Sequence, residues 1–261
     1  MEHVILNNGL KMPILGFGVF QIPKEDTERI VLDAIEVGYR LFDTAQGYGN
    51  EKGLGSAIIK SGIPREEFFI TTKLWISESG YEKAKASILK SLERLQMDYV
   101  DLLLIHQPFG DYYGSYRAME ELYKEGKLKA IGVSNFYSDR LIDLIKHNDV
   151  VPMVNQVETH PFNQQIKANE IMKKYGVQIQ AWAPFAEGKN DLFTNDTLVN
   201  IGHKYNKSSA QVTLRYLIQR GVSVIPKTVN KDRMKQNFEV FDFVLNDEEM
   251  EQILKLDLAQ S

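Results

Sequence analysis

The chain of 261 residues contains no cysteine. This absence excludes disulfide bonds, a thiolate nucleophile and a zinc site with cysteine ligands. No basic run is dense enough to predict a nucleic-acid interface, and the net charge of -4 agrees with this. No apolar run approaches the roughly 18 residues that a membrane-spanning helix requires. These absences leave small molecules as the expected partners.

No Pro- or Ser-rich linker, low-complexity segment or repeat divides the chain. The composition, 43% apolar and 25% charged, is that of an ordinary globular protein. Because barrels of about 250 residues often form one domain, we expect a single domain over residues 1–261. The first stretch, MEHVILNNGLKM, is too short and polar for a signal peptide, so we expect a cytoplasmic protein.

Short apolar runs alternate with amphipathic stretches from end to end. The apolar runs predict eight strands, at 14–20, 39–44, 68–74, 99–106, 128–136, 152–160, 177–185 and 222–228. Helical spacing predicts helices between and after them, at 24–38, 50–62, 79–97, 115–126, 138–148, 163–176, 196–206, 208–221, 232–240 and 243–257. Strict alternation indicates a parallel sheet. Eight units in this length favour an α/β fold of the closed (β/α)8 TIM barrel type over an open sheet.

Two additions to the eight units are also predicted. Asn7-Asn8-Gly9 is typical of a hairpin turn, and such an N-terminal β-hairpin would cover the bottom of the barrel. Extra helix is expected near 194–204 and 246–256, the second one beginning with Asn246 or Asp247 as its cap.

Ionisable residues stand at the ends of consecutive predicted strands. In LFDTAQGYGNE, Asp43 ends the second strand and Tyr48 follows it; Lys73 ends the third strand and His106 the fourth. In a barrel of this type, chemistry gathers at these strand ends. Each residue also has an ordinary structural explanation. Asp43 could cap a turn, Tyr48 could be half-buried, Lys73 could reach solvent and His106 could belong to the core.

Taken together, the four residues favour a chemical explanation. A carboxylate and an ammonium that follow apolar residues are costly unless they are paired. A free tyrosine has a pKa of about 10, and a nearby ammonium lowers it. Lys73, held by Asp43, would therefore make Tyr48 a better proton donor, while His106 would orient a carbonyl oxygen. This set suits protonation of an oxygen during hydride delivery to an aldehyde or ketone.

Hydride must come from a cofactor, because side chains cannot supply it. The G-x-G-x-x-G fingerprint of common dinucleotide sites is missing; GFGVFQ contains only two glycines. Later strands offer amide, hydroxyl and aromatic groups instead, namely Ser134, Asn135, Gln156 and Trp182. Core packing is the alternative explanation for Trp182.

A phosphate site is predicted after the last strand. IPKT and the following NKDRMKQN bring Lys227, Thr228 and Arg233 around a helix start. Two cations, a hydroxyl and free N–H groups are typical of phosphate binding. A solvated helix face is the alternative explanation for Lys227 and Arg233.

The chain resembles the aldo-keto reductase superfamily over almost its whole length. The motifs that carry the resemblance are GFG, FDTAQGYGNE, TTKLW, LLLIH, IGVSNF, NQVETHP, IPKT and the closing R..QN. The resemblance implies that Asp43, Tyr48, Lys73 and His106 form a catalytic tetrad with Tyr48 as the general acid in reduction. It implies NADPH as the cofactor and carbonyl reduction as the reaction.

The resemblance also implies the cofactor contacts. The expected set is Gly18, Val19, Phe20, Ser134, Asn135, Gln156, Trp182, Lys227, Thr228, Val229, Arg233, Gln236 and Asn237. In this set the family places Lys227, Thr228 and Arg233 at the 2′-phosphate of NADPH. The chain departs from the usual pattern in carrying Trp182 for tyrosine, Thr228 for serine and Gln236 for glutamate.

The substrate site is expected to be open and shallow, because the sequence ends at LDLAQS without the longer tail of many relatives. Its expected lining is Phe20, Tyr48, Trp75, His106 and Phe109. Gln107 stands where many relatives carry tryptophan. Small or varied carbonyl compounds would suit such a site, and the protein is expected to act as a monomer.

Two other functions are alternatives for a barrel of this kind. Some relatives bind NADPH, turn over slowly and report redox state to a partner, but the chain has no additional interaction segment to support this. A metal-dependent barrel hydrolase would need histidines and carboxylates clustered at strand ends. Glu158 and His160 in VETHP are expected to be structural, so no metal site is predicted.

Overall fold

The computed structural model of the protein describes residues 2–258. Among these residues it has ten strands: β1 His3–Ile5, β2 Lys11–Pro13, β3 Phe17–Gly18, β4 Leu41–Asp43, β5 Phe69–Leu74, β6 Leu102–Ile105, β7 Ile131–Ser134, β8 Val154–Glu158, β9 Gln178–Trp182 and β10 Ser223–Val224. It also has ten α-helices: α1 Lys24–Val37, α2 Glu51–Lys60, α3 Tyr81–Leu95, α4 Tyr112–Lys124, α5 Ser138–Lys146, α6 Ile166–Lys174, α7 Asp196–Tyr205, α8 Ser209–Gln219, α9 Lys231–Phe238 and α10 Asp247–Leu254.

Strands β3 to β10 form one parallel sheet in which each strand pairs with the next along the chain. The sheet closes on itself, because Leu15 bridges Val224 in parallel and the amide of Gly16 donates to the Val224 carbonyl over 2.8 Å. The predicted (β/α)8 barrel is therefore confirmed. The first and last strands are much shorter than predicted, since closure relies on a few hydrogen bonds around β3 and β10.

Gly18 is required at this seam. A Cβ atom at this position would lie 2.8 Å from the carbonyl oxygen of Ile225, which is too close for any other residue without a shift of backbone. The Gly18 amide donates to the Pro226 carbonyl over 3.2 Å. Gly18, the second glycine of GFG, therefore serves barrel closure, and it also lines the cavity beside the seam.

The predicted N-terminal hairpin is confirmed as the antiparallel pair β1 and β2. Side chains of its turn reach the segments that precede β7 and β8. Asn8 donates to the Lys129 carbonyl over 3.0 Å, and Asn7 donates to the Pro152 carbonyl over 3.2 Å. The hairpin therefore lies at the N-terminal ends of the strands, opposite the predicted site.

The additional helices near the C-terminus are confirmed as α7 and α10, which contact each other. Asn246 caps α10 and forms a capping box with Glu249, as one of the two predicted caps. Glu249 also accepts a hydrogen bond of 2.6 Å from Tyr205 of α7. No helix within residues 2–258 has the length and apolar character needed to cross a membrane. The last three residues of LDLAQS lie outside the described part of the chain.

Candidate active site

Three of the strand-end residues meet in one hydrogen-bonded group. The ammonium of Lys73, near the end of β5, donates to the carboxylate of Asp43 at the end of β4. It also donates to the Thr44 carbonyl over 3.1 Å and lies 3.3 Å from the hydroxyl oxygen of Tyr48. Adjacent parallel strands end at the same edge of the barrel, which places these side chains within reach of each other. The predicted pairing of Asp43 with Lys73 is thus present.

Tyr48 is presented by a 3-10 turn, Gln46–Tyr48, which follows β4. The turn ends at Gly49, whose φ of 70° is unfavourable for most other residues. Asn50 holds the far end, since its amide donates to the Val19 carbonyl over 2.9 Å and its oxygen accepts from Thr44 over 2.7 Å. Neither Thr44 nor Asn50 was singled out from sequence, although both stand in the FDTAQGYGNE motif.

The pKa of Tyr48 differs from the sequence prediction. Burial raises the pKa of the Tyr48 hydroxyl, and the positive charge of Lys73 offsets this rise only in part. The predicted direction of the lysine's influence is correct, but the pKa of Tyr48 stays above its ordinary value. For Lys73, burial alone would lower the pKa, and the attraction of Asp43 and Tyr48 more than compensates, so that the pKa is raised.

His106 follows β6 and lies beside the same group. Its ring stands edge-on to Tyr48, with ring centres 5.6 Å apart, and edge-on to Trp75, with ring centres 5.0 Å apart. Burial, together with the nearby charge of Lys73, lowers the pKa of His106 to about 3. The imidazole is therefore neutral, and its buried Nδ1 has no hydrogen-bond partner within residues 2–258.

The two predicted amides, Asn135 and Gln156, are held by separate hydrogen bonds, and that of Gln156 reaches the charged group. Asn135 donates to the His106 carbonyl over 3.2 Å and accepts from the indole N–H of Trp182 over 2.8 Å. Gln156 donates to Asp43 over 2.7 Å and to Gln180 over 2.8 Å. Gln180, a fully buried amide on β9, was missed because nothing in the sequence separates it from other strand residues. Gln156 Oε1 accepts no hydrogen bond from the described residues.

A cavity of about 740 Å³ opens at this end of the barrel. Predicted site residues in its lining are Gly18, Phe20, Asp43, Tyr48, Trp75, His106, Ser134, Asn135, Gln156, Trp182 and Lys227. Residues that the sequence did not predict for the site are Gln21, Gly47, Gln107, Ala183, Pro184, Phe185, Glu187 and Ile225. Most of the unpredicted ones belong to loops, where spacing carries little information.

Two residues of the predicted site do not line the cavity. Val19 was expected at the cofactor, but its side chain is completely buried in the core. Phe109 was expected in the substrate site, but it is 57% exposed and does not line the cavity; the guanidinium of Arg140 lies over its ring.

Of the predicted phosphate residues, Lys227 lines the cavity, whereas Thr228 and Arg233 do not. The other cofactor contacts predicted in this segment, Val229, Gln236 and Asn237, also lie outside the lining, and Asn237 is largely buried. Asn230 caps α9 by accepting from the Arg233 amide over 3.0 Å. Lys227 and Arg233 are exposed, and within residues 2–258 neither side chain has an acidic partner.

Glu158 and His160 form a pair with 3.3 Å between carboxylate and ring. The other ring nitrogen of His160 accepts from the Phe162 amide over 3.2 Å. No group of three or more metal-ligating side chains occurs among the described residues. The pair thus stabilises the local backbone after β8.

Comparison with known proteins assigns nearly the whole chain to one family. The model of the aldo/keto reductase family matches residues 14–258. A glyoxal reductase of Bacillus subtilis is 48% identical over 255 residues, which cover 97% of this chain and 91% of the relative. An aldo-keto reductase from a Medee basin deep-sea metagenome superposes with a TM-score of 0.97 at 45% identity, covering 99% of this chain and 96% of the other.

A second solved structure is a Bombyx mori aldo-keto reductase in complex with NADP. It has a TM-score of 0.94 at 32% identity and covers 100% of this chain and 94% of its own. Matches of this length and identity establish the family, whose members are oxidoreductases that act on carbonyl groups. The chain belongs to the aldo/keto reductase family.

Proposed function

We propose that this protein reduces aldehydes and ketones to alcohols with NADPH, and that Tyr48 donates the proton. The observation that carries the proposal is the position of the Tyr48 hydroxyl, 3.3 Å from the Lys73 ammonium, in the wall of a cavity that also contains neutral His106. A phenol, an ammonium and a neutral imidazole around one cavity suit protonation of a carbonyl oxygen.

Residues around the cavity fit a nicotinamide dinucleotide. Gln156 Oε1 is available to accept from a carboxamide, and the ring of Trp182 offers a flat surface in the cavity wall. The exposed cations Lys227 and Arg233 would hold a phosphate group at the rim. A bound reduced nicotinamide would supply the hydride. The Bombyx mori relative, which was solved with NADP, supports the choice of cofactor.

The side chains divide the proton chemistry among themselves. Tyr48 loses its proton to the developing alkoxide, and the adjacent Lys73 stabilises the phenolate that remains. Asp43 keeps Lys73 charged and in place. The neutral imidazole of His106 carries one N–H, with which it can donate to the carbonyl oxygen. In alcohol oxidation the same phenolate would act as the base.

Small carbonyl compounds are the proposed substrates. Phe20 and Trp75 line the cavity as apolar surfaces, while Gln21 and Gln107 contribute amides. The Bacillus subtilis relative is named glyoxal reductase, which supports short aldehydes and dicarbonyls as the first compounds to test. We further propose that residues 1–261 act as one domain, as a monomer in the cytoplasm.

The proposal is tested by titrating the protein with NADPH and with NADH while following tryptophan fluorescence. Trp75 and Trp182 are the two tryptophans of the chain, and both line the cavity. NADPH should quench strongly and bind more tightly than NADH. Tyr48→Phe should retain this binding and lose turnover of a carbonyl panel. Wild-type protein that binds NADPH but reduces none of the compounds would instead favour a redox-sensing role.

A further inference from the structure

We propose that Gln46 is a positioning residue that holds Tyr48 and Trp75 in their working geometry. Gln46 is the first residue of the 3-10 turn that presents Tyr48. The inference rests on the proposed role of Tyr48 as proton donor. In this role the Gln46 side chain connects the turn to the rest of the barrel through hydrogen bonds.

The Gln46 amide makes hydrogen bonds to two separate elements. Its nitrogen donates to Ser91 Oγ over 2.9 Å, to Ser87 Oγ over 3.0 Å and to the Ser87 carbonyl over 3.2 Å. Its oxygen accepts from the backbone amide of Trp75 over 3.0 Å. One side chain thus connects the Tyr48 turn with helix α3 and with the residue that follows β5.

The part of α3 that accepts the Gln46 hydrogen bonds is itself held in place. Ser87 and Ser91 lie one helical turn apart on a buried face of α3. Arg94 donates to Ser91 over 2.8 Å and to the buried carboxylate of Glu51 over 2.6 Å. Because Glu51 also accepts from Thr72 of β5 over 2.6 Å, the anchor is joined to the barrel wall.

Packing alone does not hold the turn. On one side it faces the active-site cavity, and on the other a cleft of about 460 Å³ whose lining includes Gln46, Gly47, Gly49 and Trp75. Gly47 and Gly49 are exposed and contribute no side chain to a core. A turn between two open spaces keeps its position largely through hydrogen bonds, and Gln46 provides those on the side away from Asn50.

The geometry that depends on the turn includes both walls of the site. Tyr48 must remain beside Lys73, and Trp75 must remain against His106. Gly47 packs on the Trp75 ring, since a Cβ atom at Gly47 would lie 3.2 Å from it. Loss of the Gln46 hydrogen bonds would let the turn and Trp75 move together. The polar side chains of Ser134, Asn135 and Gln156 would be unaffected.

The test compares Gln46→Leu with wild type. We expect kcat to fall about tenfold, because small misplacement of a catalytic group is costly, while the Kd for NADPH stays unchanged. The alkaline limb of the kcat–pH profile should move to higher pH, since Tyr48 would lie farther from Lys73. The variant Ser87→Ala/Ser91→Ala removes the two hydroxyl partners on α3, although the Ser87 carbonyl remains, and should lower kcat in the same direction. Combined with Gln46→Leu, it should add little further loss.

Tyr116→Phe is the matched control, because it deletes one hydrogen bond, to the Val150 carbonyl over 3.0 Å, away from the site. It should lower stability without changing kcat or the pH profile. If Gln46→Leu and the double serine variant behave like this control, the inference is overturned. The serine variant decides the matter if Gln46→Leu does not fold. If Tyr48→Phe retains turnover, the proposed function itself is wrong. This result distinguishes failure of the proposed function from failure of the Gln46 inference.

Discussion

Gln156 donates a hydrogen bond to the carboxylate of Asp43, with 2.7 Å between nitrogen and oxygen. The other carboxylate oxygen of Asp43 accepts from Lys73. One buried carboxylate therefore links the amides of the proposed nicotinamide site with the ammonium beside Tyr48. Binding of cofactor and donation of the proton are expected to depend on each other through this link.

Gln156→Leu should weaken NADPH binding and lower kcat together. The substitution removes a contact to the cofactor and leaves Asp43 one hydrogen bond short, a loss of about 1–3 kcal/mol. Fluorescence titration and steady-state kinetics measure the two effects. Gln180→Leu is the control, because it removes the second partner of Gln156 without touching Asp43. Equal loss of kcat in the two variants would contradict the link.

Lys73→Met should nearly eliminate turnover and also destabilise the fold. The side chain of Lys73 is 1% exposed, and its removal leaves Asp43 as a buried, unpaired carboxylate. Breaking such a pair costs about 3–5 kcal/mol, which urea denaturation would measure. The double variant Lys73→Met/Asp43→Leu should recover stability but not activity. Substantial turnover in either variant at neutral pH would count against the role of Lys73.

Lys227→Ala/Arg233→Ala should weaken NADPH binding far more than NADH binding. Each charge-assisted hydrogen bond to a phosphate contributes about 1.5–3 kcal/mol, so a loss of tenfold or more is expected for NADPH. Lys231→Ala is a matched control on the same helix, because Lys231 is paired with Glu36 over 2.6 Å. Equal weakening of both cofactors would remove the 2′-phosphate assignment.

His106 should remain neutral throughout the physiological pH range. Its pKa of about 3 in the folded protein lies below the ordinary value of 6.5. Between these values the unfolded state binds a proton that the folded state does not, so acidification through this window lowers stability. His106→Gln should make the pH dependence of unfolding shallower there. An NMR titration that gave His106 a pKa near 6.5 would refute the prediction.

Much of the architecture could be predicted because strand and helix periodicities are local. The alternation of apolar runs with amphipathic stretches indicated the barrel, and Asn7-Asn8-Gly9 indicated the hairpin. Parallel strands end at one edge of a barrel, so Asp43, Lys73 and His106 could be placed together before any coordinates were known.

The direction and burial of individual side chains could not be predicted from local sequence patterns. Val19 follows β3 directly and Phe109 lies four residues beyond the end of β6, yet Val19 is buried in the core and Phe109 lies outside the cavity. Gln46, Asn50 and Gln180 act through partners that are distant in sequence, such as Ser91 and Ser223. The positions of these three residues in the sequence do not indicate such contacts.

The sequence by itself determined the barrel and the strand-end positions of Asp43, Lys73 and His106, since these follow from local patterns repeated along one chain. Only the tertiary structure decided the pKa values of Tyr48 and His106. Tyr48 has a raised pKa and His106 a lowered one, because burial disfavours charge on both rings. Burial depends on elements far apart in the chain that pack around one cavity, and no local pattern contains that information.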